Sequence, residues 1–358
     1  MIDCDIHVQI GDREQFLGFV EPGQRDWFRE QGPLLGTPGY TWVHPTGFMR
    51  AELEPGAGGM PASTPDLVRR ELLDPYGIDI GLLTADDGIA VSLMASPYRA
   101  AAYACAHNDW LRDCWLDADP RLRGTIIVPA QDPLAAAEEI NRVAEDARFA
   151  AVLLCGGSER PYGDPRYLPV FAAAAEHGLP VAIHSGAEGL GISTSSGGAG
   201  MPSFYVEWHT LGSACSIMSH LVSLICHGTF ERLPDLRVVL MEGGLGWLPG
   251  VLWRLDTNWR GLRSEVPWLE RRPSEILHQH IRFTTQPLEH TDGNDGLLFQ
   301  MLEAVGAPGI LCFASDYPHW DFDEPGQMIR RLPEAWRETV MHDNAAELFA
   351  SRIGPVTV

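Results

Sequence analysis

At 358 residues, with 45% hydrophobic and 21% charged side chains, the chain has the make-up of a globular protein with a large core. Its formal charge of −22 works against nucleic acid and against anionic membrane surfaces, which carry the same sign. All 26 basic residues are arginine, which removes lysine Schiff bases, a phosphate-loop lysine and a carboxylated-lysine metal bridge from consideration.

The seven cysteines are scattered and odd in number, with no C-x-x-C pair. They read as reduced core residues, and a cytoplasmic location is the expectation. The N-terminus is acidic, unlike a signal segment. No run approaches 18 uninterrupted apolar residues, so no membrane span is expected.

Taken in order, Ile2–Val8 reads as a strand whose alternation puts Asp3, Asp5 and His7 on one face and Ile2, Cys4, Ile6 and Val8 on the other. A polar row on an otherwise buried strand makes sense if a cation sits at its C-terminal end. Residues 9–64 follow with weak periodicity, carrying Trp27, Trp42, His44, Arg25, Arg29 and Arg50. A segment of this length and aromatic content is expected to be an ordered cover over the site.

Regular alternation starts at Thr64-Pro65-Asp66, a capping residue with proline at the first helical position. Strands are expected over 78–84, 124–129, 150–155, 180–184, 237–242, 281–285 and 310–316, with helices between them. Eight short, nearly continuous apolar strands alternating with helices predict a (β/α)8 barrel, a TIM barrel, in one domain spanning 1–358. The other possibility, an open doubly wound sheet, lacks a G-x-G-x-x-G after strand 1 and lacks a phosphate loop.

In such a barrel the site lies at the C-terminal ends of the strands. Asp5 and His7 end strand 1, His184 ends strand 5 and Asp316 ends strand 8. Two imidazoles and two carboxylates suit one divalent ion, zinc or manganese, with a position left for water. Glu242 ends strand 6 and Thr285-Gln286 ends strand 7. Trp208, His209, Gln286 and His319 are the candidate substrate contacts, His319 being also a candidate orienter of a ligand. His220 and His227 lie on the helix before strand 6 and read as core or surface, as do Asn108 and Cys155 in their own elements.

These residues carry a resemblance. Asp5-x-His7, Val181-Ala182-Ile183-His184, Phe230-Glu231-Arg232-Leu233-Pro234-Asp235-Leu236-Arg237 and Ser315-Asp316-Tyr317-Pro318-His319 resemble the amidohydrolase-related family. The branch is the one that includes aminocarboxymuconate semialdehyde decarboxylase and the aromatic-acid decarboxylases. The similarity extends to Asn344-Ala345-Ala346-Glu347-Leu348-Phe349. It implies a distorted barrel with one divalent metal, and metal-bound water or substrate beside Asp316. Two departures stand out: Asp5 replaces a histidine common in the family, pointing to an ion harder than zinc, and Glu242 stands where the decarboxylases usually have histidine.

The second departure tips the expectation to hydrolysis of an amide, cyclic amide or lactone in a small molecule. Asp316 would take the proton of a metal-activated water, with His184 and Glu242 completing the catalytic set. The alternative is non-oxidative decarboxylation of an aromatic or unsaturated acid, which requires Glu242 to hold a proton far above its usual range. A third reading is a barrel that binds a small molecule without catalysis. Three tryptophans over 247–259 make a homodimer the expected assembly.

Overall fold

The computed structural model describes residues 1–31, 49–53, 60–86, 88–195 and 199–354. Eight strands form one parallel sheet in sequence order: β1 (Ile2–Val8), β2 (Ile80–Ala85), β3 (Leu122–Ile127), β4 (Phe149–Cys155), β5 (Val181–His184), β6 (Val238–Met241), β7 (Ile281–Thr284) and β8 (Leu311–Cys312). The sheet closes through the backbone. Cys4 N donates to Phe313 O at 2.9 Å, His7 N to Tyr317 O at 2.7 Å, and Asp316 N back to Asp5 O at 3.1 Å. The expected barrel is therefore the observed one.

Both faces of the strands are covered, which is why they read as continuous apolar runs. Phe149, Val152, Leu154, Ile183, Val239, Leu240 and Phe283 are all buried, each such side chain contributing roughly 1.5–3 kcal/mol by leaving water. The helices start where caps allow. Ser96 and Asp132 accept from Arg99 N and Ala135 N at the starts of Pro97–Leu111 and Pro133–Val143, each with proline in the first turn.

The barrel is distorted where it carries polar residues. Asp3 pairs with Gly81 but Ile6 pairs with Leu83, so β1 holds one more residue than β2 there. β8 is only two residues long, against the 310–316 expected, because the chain leaves extended geometry and Asp316 takes a φ of 58°. Similarly, β6 stops at Met241 and Glu242 has a φ of 56°. Left-handed backbone at two non-glycine residues is strained and gathers at functional positions.

Of the segment expected as a cover, residues 32–48 and 54–59, with Trp42 and His44, lie outside the described residues. The described remainder divides. Phe16 and Phe28 pack on Tyr103 of the Pro97–Leu111 helix, and the Arg99 guanidinium lies 3.8 Å over the Trp27 ring. Met49 and Arg50 instead pair with His319 and Pro318 beside the strand ends.

The helical run Tyr205–Cys226 is long and apolar enough to cross a membrane by length and composition, but Ile217, Leu221, Leu224 and Ile225 are packed into the core. Of the three tryptophans on and before Leu248–Gly261, Trp247 and Trp259 are partly buried and donate to Gly243 O and Leu269 O; Trp253 is exposed.

Candidate metal centre and active site

Strands β1 and β5 and the turn after β8 bring Asp5, His7, His184 and Asp316 together at one end of the barrel, all four buried. One donor atom from each lies within 4.8 Å of every other. His7 Nε2 is 3.1 Å from His184 Nε2, 3.2 Å from Asp316 Oδ1 and 3.4 Å from Asp5 Oδ1, and His184 Nε2 is 3.1 Å from Asp5 Oδ2. His7 Nε2 faces Asp316 Oδ1 and His184 Nε2 faces Asp5 Oδ2, while Asp316 Oδ2 is buried without a partner. Two imidazole nitrogens and two carboxylates converging beside an unpartnered buried oxygen fit a divalent cation.

The electrostatics agree. Burial alone would push Asp5 up, but the charges of His184 and His7 outweigh it and hold the carboxyl well below its usual range. Asp316, likewise opposed by burial, is brought down to about 2 by His319 and His7. Against their own burial, His7 is pushed up by Asp5, Asp316 and Asp86, and His184 by Asp5 and Glu242. A cation entering here displaces those imidazole protons.

A second layer holds the donors in place. His184 Nδ1 faces Ser185 O at 2.5 Å, which leaves Nε2 as the ligating atom in the neutral tautomer. Thr84 Oγ1 donates to Asp5 Oδ1 at 2.5 Å. His319 Nδ1 lies 2.7 Å from Asp316 Oδ1, so His319 orients a carboxylate of the set. Asp86 Oδ1 stands 3.6 Å from both His7 Nδ1 and His319 Nε2, and Gln9 Nε2 donates to Asp86 Oδ2 at 3.0 Å. Asp86 was reachable from the sequence, since it ends strand 2 by the same rule that selected the others. Asp3 is deeper and ties β1 to the β8 turn by accepting from Ser315 N at 3.0 Å.

Glu242 borders this set. Its Oε2 accepts from Ser185 Oγ at 2.9 Å and lies 3.4 Å from His184 Nε2, while its N–H donates to Thr284 Oγ1 at 3.1 Å. Burial, aided by the Asp316 and Asp321 charges and opposed by His184, pushes the carboxyl up to about 7. On its other side His209 Nε2 sits 4.0 Å from Glu242 Oε1 and 3.1 Å from Asp321 Oδ2, and Gln286 Nε2 donates to that same Oδ2 at 2.9 Å. Asp321 had only a weak signal, five residues past Asp316 on the same turn.

The remaining expectations sort as follows. Trp208 is engaged away from the set: its indole donates to Glu188 Oε2 at 3.0 Å, in the loop after β5. His220 is a core residue, with Nε2 2.8 Å from Gly156 O and Nδ1 accepting from Tyr162 N, and burial brings it down to about 4. His227 is exposed. Cys155 is buried, its thiol pushed up by burial and by Glu188, which suits a packing residue. Thr285 Oγ1 accepts from Ala314 N. Arg25 bonds Val20 O, Arg29 bonds Glu14, and Arg50 pairs with Glu52.

Comparison with known proteins places this geometry. A family profile described as amidohydrolase matches residues 2–350. The chain belongs to the amidohydrolase family. Among curated relatives, a gamma-resorcylate decarboxylase of Rhodococcus jostii (strain RHA1) is 27% identical over 304 residues, covering 79% of this chain and 86% of the relative. The solved 5-carboxyvanillate decarboxylase of Sphingomonas paucimobilis superposes with a TM-score of 0.70 at 23% identity, covering 98% of both chains. A dihydroxybenzoic acid decarboxylase of Polaromonas sp. JS666, solved with bound manganese and 2-nitroresorcinol, superposes at 0.65 with 20% identity, covering 98% of this chain and 97% of that one.

Two expectations change. This amidohydrolase-family barrel is an enzyme, so the reading of binding without catalysis falls. Hydrolysis of an amide or lactone is overturned as well, because the curated relatives are decarboxylases, the gamma-resorcylate decarboxylases among them. The missing strand-6 histidine weighs against decarboxylation unless burial raises Glu242, and burial, with the Asp316 and Asp321 charges, does push that carboxyl up.

Proposed function

We propose that the chain is a divalent-metal-dependent, non-oxidative decarboxylase of an aromatic acid. The observation that carries this reading is Glu242: a partly buried carboxyl 3.4 Å from His184 Nε2, pushed up to about 7 beside the His7–His184–Asp5–Asp316 set. Its likeness to the relatives named above supports it. Asp5, His7, His184 and Asp316 would hold the ion, and an Asp5 carboxylate in place of imidazole favours manganese over zinc. A bound ion would supply Lewis-acid stabilisation of the negative charge that develops as carbon dioxide leaves.

The chain's own residues supply the rest. Protonated Glu242 delivers its proton to the ring carbon that loses carbon dioxide; the electrons of the breaking C–C bond form the new C–H bond. Glu242 is left as carboxylate, accepting from Ser185 Oγ, and regains a proton from solvent. Asp316, held ionised near His319, cannot serve as that donor at neutral pH.

The test is carbon dioxide release from a panel of hydroxybenzoates by manganese-loaded protein, with Glu242→Gln in parallel. Release by the parent and its loss in the variant is expected. No release from any ring acid, or full activity in Glu242→Gln, overturns the reading.

A further inference from the structure

Each ligating residue of β1 faces a polar residue of β2. The two strands run parallel, with His7 paired to Thr84 and Val8 to Ala85. The strand period puts Thr84 and Asp86 on one face, as it does Asp5 and His7. Thr84 Oγ1 donates to Asp5 Oδ1 at 2.5 Å. Asp86 is the corresponding neighbour of His7, with its Oδ1 3.6 Å from His7 Nδ1.

An acceptor is needed at that point. His7 Nε2 faces His184 Nε2 and Asp316 Oδ1, and a neutral imidazole that ligates through Nε2 carries its proton on Nδ1. That Nδ1 is buried and has no partner at hydrogen-bond distance, a destabilising state for an N–H group. His319 stands between two carboxylates. Its Nδ1 lies 2.7 Å from Asp316 Oδ1, and its Nε2 lies 3.6 Å from the same Asp86 Oδ1. The His7 and His319 rings are side by side, centroids 4.2 Å apart, so one small movement of the carboxylate shortens both contacts to hydrogen-bond length. The rest of Asp86 is anchored: buried Gln9 donates from Nε2 to Oδ2 at 3.0 Å, and Asp86 N donates to Val8 O at 3.3 Å.

We infer that Asp86 is a positioning residue of the metal centre: one carboxylate oxygen accepts from His7 and His319 together, and so fixes one ligand directly and a second, Asp316, through His319. This rests on the metal reading of the four-donor set and is independent of which bond the enzyme breaks. Without Asp86 the His7 ring loses the acceptor that opposes its rotation, and His319 loses one of its two anchors. Ligands at the end of β1 and after β8 then loosen together, so Asp86 and His319 act as one unit.

The test is manganese affinity of the full chain by metal-competition titration, with the melting temperature of the metal-free protein measured alongside. Asp86→Asn keeps the size of the side chain but removes the charged acceptor. It is expected to weaken manganese binding about 10- to 100-fold without lowering the metal-free melting temperature. Combined with His319→Ala, its effect should fall clearly short of the product of the two separate losses. Gln9→Leu, which frees only the Asp86 Oδ2, should weaken binding less and add nothing to Asp86→Asn. Unchanged affinity in Asp86→Asn, or losses that multiply in the double variant, overturns the inference. So does an affinity loss matched by a lower metal-free melting temperature, which would make Asp86 a residue of the fold. A second equivalent of manganese that disappears in Asp86→Asn also overturns it, since His7, Asp86 and His319 would then hold a cation of their own. A parent that binds no manganese sinks the metal reading and this inference together. A parent that binds manganese but releases no carbon dioxide from any ring acid sinks the decarboxylase reading alone.

Discussion

Glu242 Oε2 stands 3.4 Å from His184 Nε2, so one partly buried carboxyl lies between the Asp5–His7–His184–Asp316 set and His209. The left-handed backbone at Glu242 is what turns it there, and Thr284 Oγ1 fixes its N–H. A carboxyl in that place is neutral or charged according to the balance between burial and its neighbours.

Glu242→Gln keeps the shape and the contact with Ser185 but removes the transferable proton. Decarboxylation is expected to fall about 10²- to 10⁴-fold, with ring-acid affinity changed far less. Single-turnover measurements alongside equilibrium binding separate the two.

The same carboxyl sets the upper limb of the pH profile. Burial and the Asp316 and Asp321 charges favour its acid form, and the acid form is the working one, so with metal kept saturating kcat/KM should fall as pH rises through the pKa of this carboxyl. Glu242→Asp should move this limb, and a rate that rises through pH 7–9 would exclude Glu242 as the proton donor.

Removing the ion with a chelator should abolish activity and lower the melting temperature, because the ion binds the folded chain. Manganese should restore both. His184→Ala and Asp316→Asn should lower bound metal, as read by elemental analysis of the purified protein.

His319 is expected to act through Asp316, whose Oδ1 it holds at 2.7 Å. His319→Ala should weaken manganese binding by about 10- to 100-fold. His319→Gln, which retains a donor, should recover part of that loss in a metal-competition titration.

Two histidines outside the site give the fold its own acid sensitivity. Burial brings His107 down to about 3 and His220 to about 4. The unfolded chain therefore takes up protons that the folded one refuses as pH falls below about 6.5. Their contribution is intact above that value and lost as pH falls towards the folded pKa values, by about 2 kcal/mol each at pH 5. Urea melts at pH 7 and pH 5 measure the loss. His107→Leu, which removes two buried ring nitrogens without partners, should reduce it by about half.

The barrel was legible in the sequence because its signals are local. Apolar runs of strand length, capping residues with proline after them, and the period of the alternation need no knowledge of distant residues. Asp5, His7, His184 and Asp316 could be picked out because strand ends in this fold converge on one mouth.

What the sequence could not determine depends on neighbours far apart along the chain. Whether Glu242 holds a proton turns on Asp316, Asp321 and His184 around it, none adjacent in sequence. Trp208 faces Glu188 instead of the ligand set because of how the loop after β5 packs against the following helix. Asp86 gains its contacts only when β1, β2 and the β8 turn are brought together, and Asp321 gains its contact with His209 only when that turn meets the helical segment after β5. Sequence by itself determined which side chains gather at the mouth; tertiary structure decided their charge, because charge in a buried site is set by everything within a few ångströms.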